Sequence, residues 1–226
     1  MNEDRSSLMQ GISSSESVLS TNKVIRNTYM LLSMSLALSA VCAVVTMLMQ
    51  VNQGVGFLLF IGGVVMSFVA RAKSRSVTGL YAVFAFAALM GAALGPIISV
   101  YIAAYANGGA IVAQALAGTA VIFLSLSGYA IVSGKNFNYL AGFVVTGMIV
   151  VLMAMIANIF LAIPAFSLAI SGAVILLMSG FILFDTSRII NGGETNYINA
   201  TIGLYLSIFN IFIHLLNLLS ALNGRR

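Results

Sequence analysis

Six side chains in this sequence have types and positions that could carry chemistry, and all lie in or beside long apolar runs. Asp185 closes the run ILLMSGFILF at the cytoplasmic end of the sixth apolar segment, and Arg188 follows three residues later. On a helix these two share a face and are placed to pair. Asp185 is then either an interfacial acid, paired or solvated, or a buried pH- or cation-responsive carboxyl. The other four are Ser207, Asn210, His214 and Asn217, spaced 3, 4 and 3 apart. That spacing lines them up on one helix face. Lipid would penalise such a face, so it should point into a bundle. There it would supply interhelical hydrogen bonds or the wall of a polar cavity or ion path. His214 is the only histidine, and an imidazole titrates near neutral pH. Asn158 is a further amide in an apolar run, open to the same two readings.

Enzyme signatures are missing. There is no H-E-x-x-H, no G-x-S-x-G and no Walker P-loop. One histidine and 5 acidic residues leave no evident nucleophile–base pair or metal cluster. A non-enzymatic protein with no cofactor and no bound metal is expected. The single cysteine, Cys42, can form neither an intrachain disulfide nor, by itself, a four-ligand zinc site. It reads as a small apolar filler.

The elements that must position these residues follow from composition. Of 226 residues, 61% are hydrophobic and 7% charged, with a mean hydropathy of +1.08. A soluble domain carries about 25% charged residues, so the bilayer must be the solvent for most of this chain. Seven apolar runs follow one another: Thr28–Met49, Val55–Ala70, Gly79–Ala104, Ala110–Val132, Tyr139–Ile163, Ala165–Phe184 and Ile198–Leu222. Most reach the roughly 20 residues that cross a hydrocarbon core; the second, at about 16, is short unless Arg71 and Lys73 snorkel. The runs are continuous and too long for barrel strands of about 10 residues. The expected fold is an all-α integral membrane bundle of seven transmembrane helices over 23–226, with the polar stripe making the last helix central.

Residues 1–22, MNEDRSSLMQGISSSESVLSTN, read as a disordered polar tail with no signal-peptide h-region. Arg5, Lys23, Arg26, Arg71, Lys73, Arg75, Lys135 and Arg188 all fall on one side of a seven-span protein. The positive-inside rule makes that side, and the N-terminus, cytoplasmic. Arg225 and Arg226 would then lie outside, after a last crossing. The net charge of +5 is spread as topology signals and forms no basic stripe interleaved with aromatics, so nucleic acid is not an expected partner. Gly91 and Gly95 form a G-x-x-x-G pair suited to close helix approach, and Pro96 directly after them should kink that helix.

The segment ILFDTSRIINGGETNYINATIGLYLSIFNIFIHLLNLL, residues 182–219, closely resembles the last two helices of the Bax inhibitor family. STNKVIRNTYMLLSMSLALSA at 20–40, GAALGPII at 91–98 and ANIFLAIPAFSLAISG at 157–172 agree with it. Within the family the chain is most similar to the YccA-type branch of modulators of the FtsH protease. The resemblance implies six helices around a seventh and a bacterial inner-membrane location. It also implies binding to FtsH, a membrane-anchored ATP-dependent protease, and to its membrane regulators, with restraint of proteolysis. A second family theme is a pH-sensitive calcium or cation leak, controlled by two aspartates and an arginine. Asp185 matches the first aspartate, and Arg71, after SFVA, is the nearest match to the arginine. The second aspartate belongs to an LYLD pattern where this chain reads LYLS, so Ser207 occupies its place. Two nearby carboxylates can share a proton and sense pH; a serine cannot.

Overall fold

The computed structural model describes the backbone of residues 2–223 and the side chains from residue 22 onward. Inside a bilayer every backbone N–H must find its acceptor within the protein, and a helix meets that demand locally. Seven helices form accordingly: α1 (Asn2–Leu48), α2 (Gln53–Ala72), α3 (Val77–Ala104), α4 (Gly108–Ser133), α5 (Leu140–Leu161), α6 (Pro164–Ile190) and α7 (Tyr197–Asn223). All seven contain stretches long and apolar enough to cross a membrane. The protein is an integral membrane bundle.

The differences from the sequence reading have local causes. Helical backbone in α1 begins at Asn2, where a disordered tail was expected; the membrane-length stretch begins at Asn22. Extending an existing helix adds a hydrogen bond for each residue fixed, so it can propagate into a polar segment. The short second run gains length at both ends and reaches 20 residues. Asn52 caps it, its Oδ1 accepting from the Val55 N–H at 2.9 Å, and Arg71 occupies the last turn. Helix α6 runs on to Ile190, so Asp185 lies inside it rather than at its end. Five further residues put the carboxyl about 7.5 Å short of the helix terminus. Arg225 and Arg226 lie outside the described residues.

Helix α7 is the axis. It packs against α1, α2, α3, α4 and α6, whereas α5 lies against α6 alone. The ring around α7 is therefore five helices, with α5 outside it. Windows within α3 and α7 are each 44% buried and that of α5 only 11%, so α5 is the most lipid-exposed helix. The centre of the bundle is built around Tyr205 of α7, edge-on to Phe86 of α3 at 4.7 Å between centroids. Ser39 Oγ donates to the Ala87 carbonyl at 2.7 Å, which leaves the Tyr205 hydroxyl to donate to Ser39 Oγ at 2.7 Å.

Small residues set the closest crossing. A Cβ at Gly91 would overlap the Ser39 backbone, and one at Gly95 would overlap Ala43 O and Thr46 Oγ1. The G-x-x-x-G pair thus seats α3 on α1. Pro96 sits within a continuous α3. It has no N–H to give the Ala92 carbonyl, and Thr46 Oγ1 of α1 donates to that carbonyl instead, at 2.9 Å.

Three connections meet at one end of the bundle. Asn196 Nδ2, between α6 and α7, donates to Ser74 O between α2 and α3, at 3.0 Å. Ser187 Oγ near the end of α6 donates to Lys135 O at 3.1 Å and accepts from the Phe137 N–H at 2.8 Å. These cross-links tie together the loops that carry the basic residues.

Candidate functional site

At this same end a cavity of about 470 Å³ lies among α6, α7, the end of α2 and Met148 of α5. It brings together Arg71, Asp185, Arg188, Ser207 and Asn210. It also exposes two residues that the sequence reading passed over, Glu194 and Asn199. Glu194 belongs to the GGET turn and Asn199 to the first turns of α7. The signal for Asn199 in the sequence was only that Asn199, Gly203, Ser207 and Asn210 repeat at spacings of 4, 4 and 3, and Glu194 has no part in that repeat. The far wall is apolar: Met148, Met178, Phe181 and Leu206. Helix α2, which brings Arg71 to the cavity, packs on neither α5 nor α6.

The Asp185–Arg188 pair that the spacing permits does not form. Arg188 Nη2 instead lies 3.7 Å from Glu194 Oε2 and donates to Gly193 O at 3.3 Å, with its guanidinium 5.4 Å from the Phe184 ring centroid. The turn explains the exchange. Gly192 takes a φ of 73°, and the N–H groups of Gly193 and Glu194 both donate to Arg188 O, at 2.8 and 3.1 Å. The chain therefore folds back over the end of α6 and delivers Glu194 to Arg188. Glu194 Oε1 accepts from the Asn196 N–H at 2.8 Å, so both carboxylate oxygens are engaged.

Asp185 is left without an ion-pair or hydrogen-bond partner among the described residues. Its carboxylate is wedged against α7 where Gly203 leaves room; a Cβ there would stand 2.6 Å from Oδ2. Arg71 also has no ion pair among the described residues. Asn199 Oδ1 is a buried acceptor with no donor among the described residues. Ser207 Oγ donates to Gly203 O at 3.2 Å and Asn210 Nδ2 to Leu206 O at 2.8 Å, both within α7.

The lower half of the polar stripe has a different task. Asn217 Nδ2 donates to Ser171 Oγ at 2.9 Å and lies 3.5 Å from Ser167 Oγ. His214 Nδ1 is 3.0 Å from Ser171 Oγ. Ser171 gives its own proton to Ser167 O at 3.1 Å, so His214 is the donor, with the proton on Nδ1. These bonds clamp α7 to α6 away from the charged cavity. Asn158 is not in the core: its Oδ1 accepts from the Ile163 N–H at 3.3 Å at the exposed end of α5. Among the described residues no three of His, Cys, Asp or Glu are grouped to hold a metal ion.

Residues 21–224 match the family described as "Inhibitor of apoptosis-promoting Bax1". The chain belongs to the Bax inhibitor family. Among its relatives is the Escherichia coli protein named "Modulator of FtsH protease YccA", 47% identical over 90% of this chain and 92% of the relative. The same identity and coverage hold for an Escherichia coli O6:H1 protein named "Inner membrane protein YccA". A Vibrio cholerae protein described as an uncharacterized membrane protein is 46% identical over 94% of this chain and 95% of its own. In this Bax inhibitor family member the cavity holds one unengaged carboxylate, on α6. The α7 position facing it is a glycine, with a serine one turn on.

Proposed function

We propose that this chain is a non-enzymatic inner-membrane protein that binds a membrane-bound protease of the FtsH type and restrains its action on membrane substrates. The observation that carries this reading is the 47% identity, over nine-tenths of both chains, to a protein named as a modulator of that protease. The architecture is compatible with it. Helix α5 presents Phe143, Ile149, Met153, Ile156 and Phe160 outward, and apolar faces of this kind can meet lipid or another transmembrane helix. The N-terminal segment is about 20 residues long and polar; it continues α1, and on unwinding it could thread into an ATPase pore as a slow substrate.

In cells overproducing this protein, the lifetime of a membrane substrate of the protease should lengthen, and it should shorten in cells lacking the protein. An unchanged lifetime in both would remove the reading. Deleting residues 2–20 separates the routes: loss of restraint assigns it to the tail, and full retention assigns it to the helices.

The cation-leak reading is weaker here. It requires two facing carboxylates, and the cavity offers Asp185 opposite Gly203 and Ser207, while Glu194 is held by Arg188 and Asn196. Its test is calcium entry into proteoliposomes between about pH 5 and 8. A flux whose pH response is abolished by Asp185→Asn would revive it.

A further inference from the structure

The charged cavity contains an unused pair. Arg188 and Glu194 satisfy each other, and Glu194 is also tied to the Asn196 N–H. That leaves one cation, Arg71 on α2, and one anion, Asp185 on α6, lining the same space without an ion pair between them or to any other described residue. A free cation would serve Asp185 and leave the exposed Arg71 to solvent; a free anion would do the reverse. An occupant carrying both charges serves both. Asn199 also lines the cavity, but its Oδ1, which has no donor among the described residues, is fully buried and closed to an occupant. Asn199 and Gly203 are one turn apart on α7, and Gly203 is where Asp185 abuts that helix. The two oxygens of an unpaired carboxylate suit a group with several N–H donors, as an ammonium has.

The rest of the cavity says what carries that group. Met148, Met178, Phe181 and Leu206 form an apolar wall, and α2, which supplies Arg71, packs on neither α5 nor α6. The site lies at the end of the transmembrane helices, where headgroups meet hydrocarbon. We propose that it is a binding site for a zwitterionic aminophospholipid of the phosphatidylethanolamine class. The phosphate sits on Arg71, whose planar fork suits a phosphate's oxygens. The ammonium donates to Asp185, and an acyl chain lies along the methionine–phenylalanine wall. The volume of about 470 Å³ is in the range of small-ligand sites and far too small for a transmembrane helix.

The test uses the full-length protein in mild detergent, with retained lipid read by native mass spectrometry. Lipids of matched chains carry ethanolamine, its N-methyl and N,N-dimethyl forms, choline or glycerol headgroups. Retention should fall stepwise as N–H donors are lost, reaching about tenfold between ethanolamine and choline. This series needs no variant, so it stands even if a substitution unfolds the protein. Asp185→Asn should abolish the ethanolamine preference while phosphate-dependent retention persists, and Arg71→Gln should weaken every phospholipid. Water-soluble phosphoethanolamine should compete poorly, because it has no chain. Equal retention of ethanolamine and choline lipids would overturn the proposal. So would tighter retention of the anionic glycerol lipid, or competition by phosphoethanolamine as effective as that of the whole lipid. None of these outcomes depends on whether the protease is the partner.

Discussion

Ser171 is the acceptor for two α7 side chains, His214 and Asn217, while Ser207 bonds only to its own helix. Residues of one polar stripe should therefore respond oppositely. Ser171→Ala leaves two interior donors without a partner and should cost about 1–3 kcal/mol. Ser207→Ala should be close to neutral. Thermal unfolding of the two variants in detergent checks this; equal losses would mean that the stripe acts as one network. The sequence shows the stripe because a 3-4-3 spacing lines up residues on any helix. It does not show the division, which depends on what α6 presents opposite: Ser167 and Ser171 below, Asp185 above. The same limit applies to Arg188. Spacing permits a pair with Asp185, but a glycine turn returns Glu194 to it, and side-chain spacing along one helix carries no record of that return.

Element positions rest on close backbone approaches, and these are unequal among the glycines. Gly91 seats α3 on the Ser39 backbone of α1, whereas a Cβ at Gly142 on α5 would meet nothing within 4 Å. Gly91→Ala should destabilise by about 1–3 kcal/mol, because a packed helix must move. Gly142→Ala should be neutral or stabilising by up to about 1 kcal/mol, since alanine favours helix. Denaturation of the purified variants distinguishes them, and a stable Gly91→Ala protein would contradict the crossing described. Span number and order were legible because continuous apolar runs have one structural answer in lipid. The full length of α2 was less so: its gain comes from the Asn52 cap and from Arg71, polar residues that an apolar window excludes. That α3 continues through Pro96 could not be read either, because the replacement donor, Thr46, is 46 residues away in α1.

For the whole molecule, the loops between α2 and α3, α4 and α5, and α6 and α7 gather at one end, and the positive-inside rule applied to their basic residues predicts that this is the cytoplasmic end. A phosphatase active only outside the cytoplasm should work when fused after Arg226 and fail when inserted at Lys135; the reverse would invert the protein. The centrality of α7 was legible from its polar face, and the exclusion of α5 from the ring was not, because lipid-facing and partner-facing positions are equally apolar. The most direct test of the central claim is reconstitution: the purified protease and a membrane substrate in liposomes, with this protein added in increasing ratio. Degradation should slow several-fold and level off as the added protein saturates the protease, while cleavage of a soluble unfolded substrate changes less. Unchanged degradation of the membrane substrate, with the folded bundle present in the same bilayer, would contradict the role proposed for it.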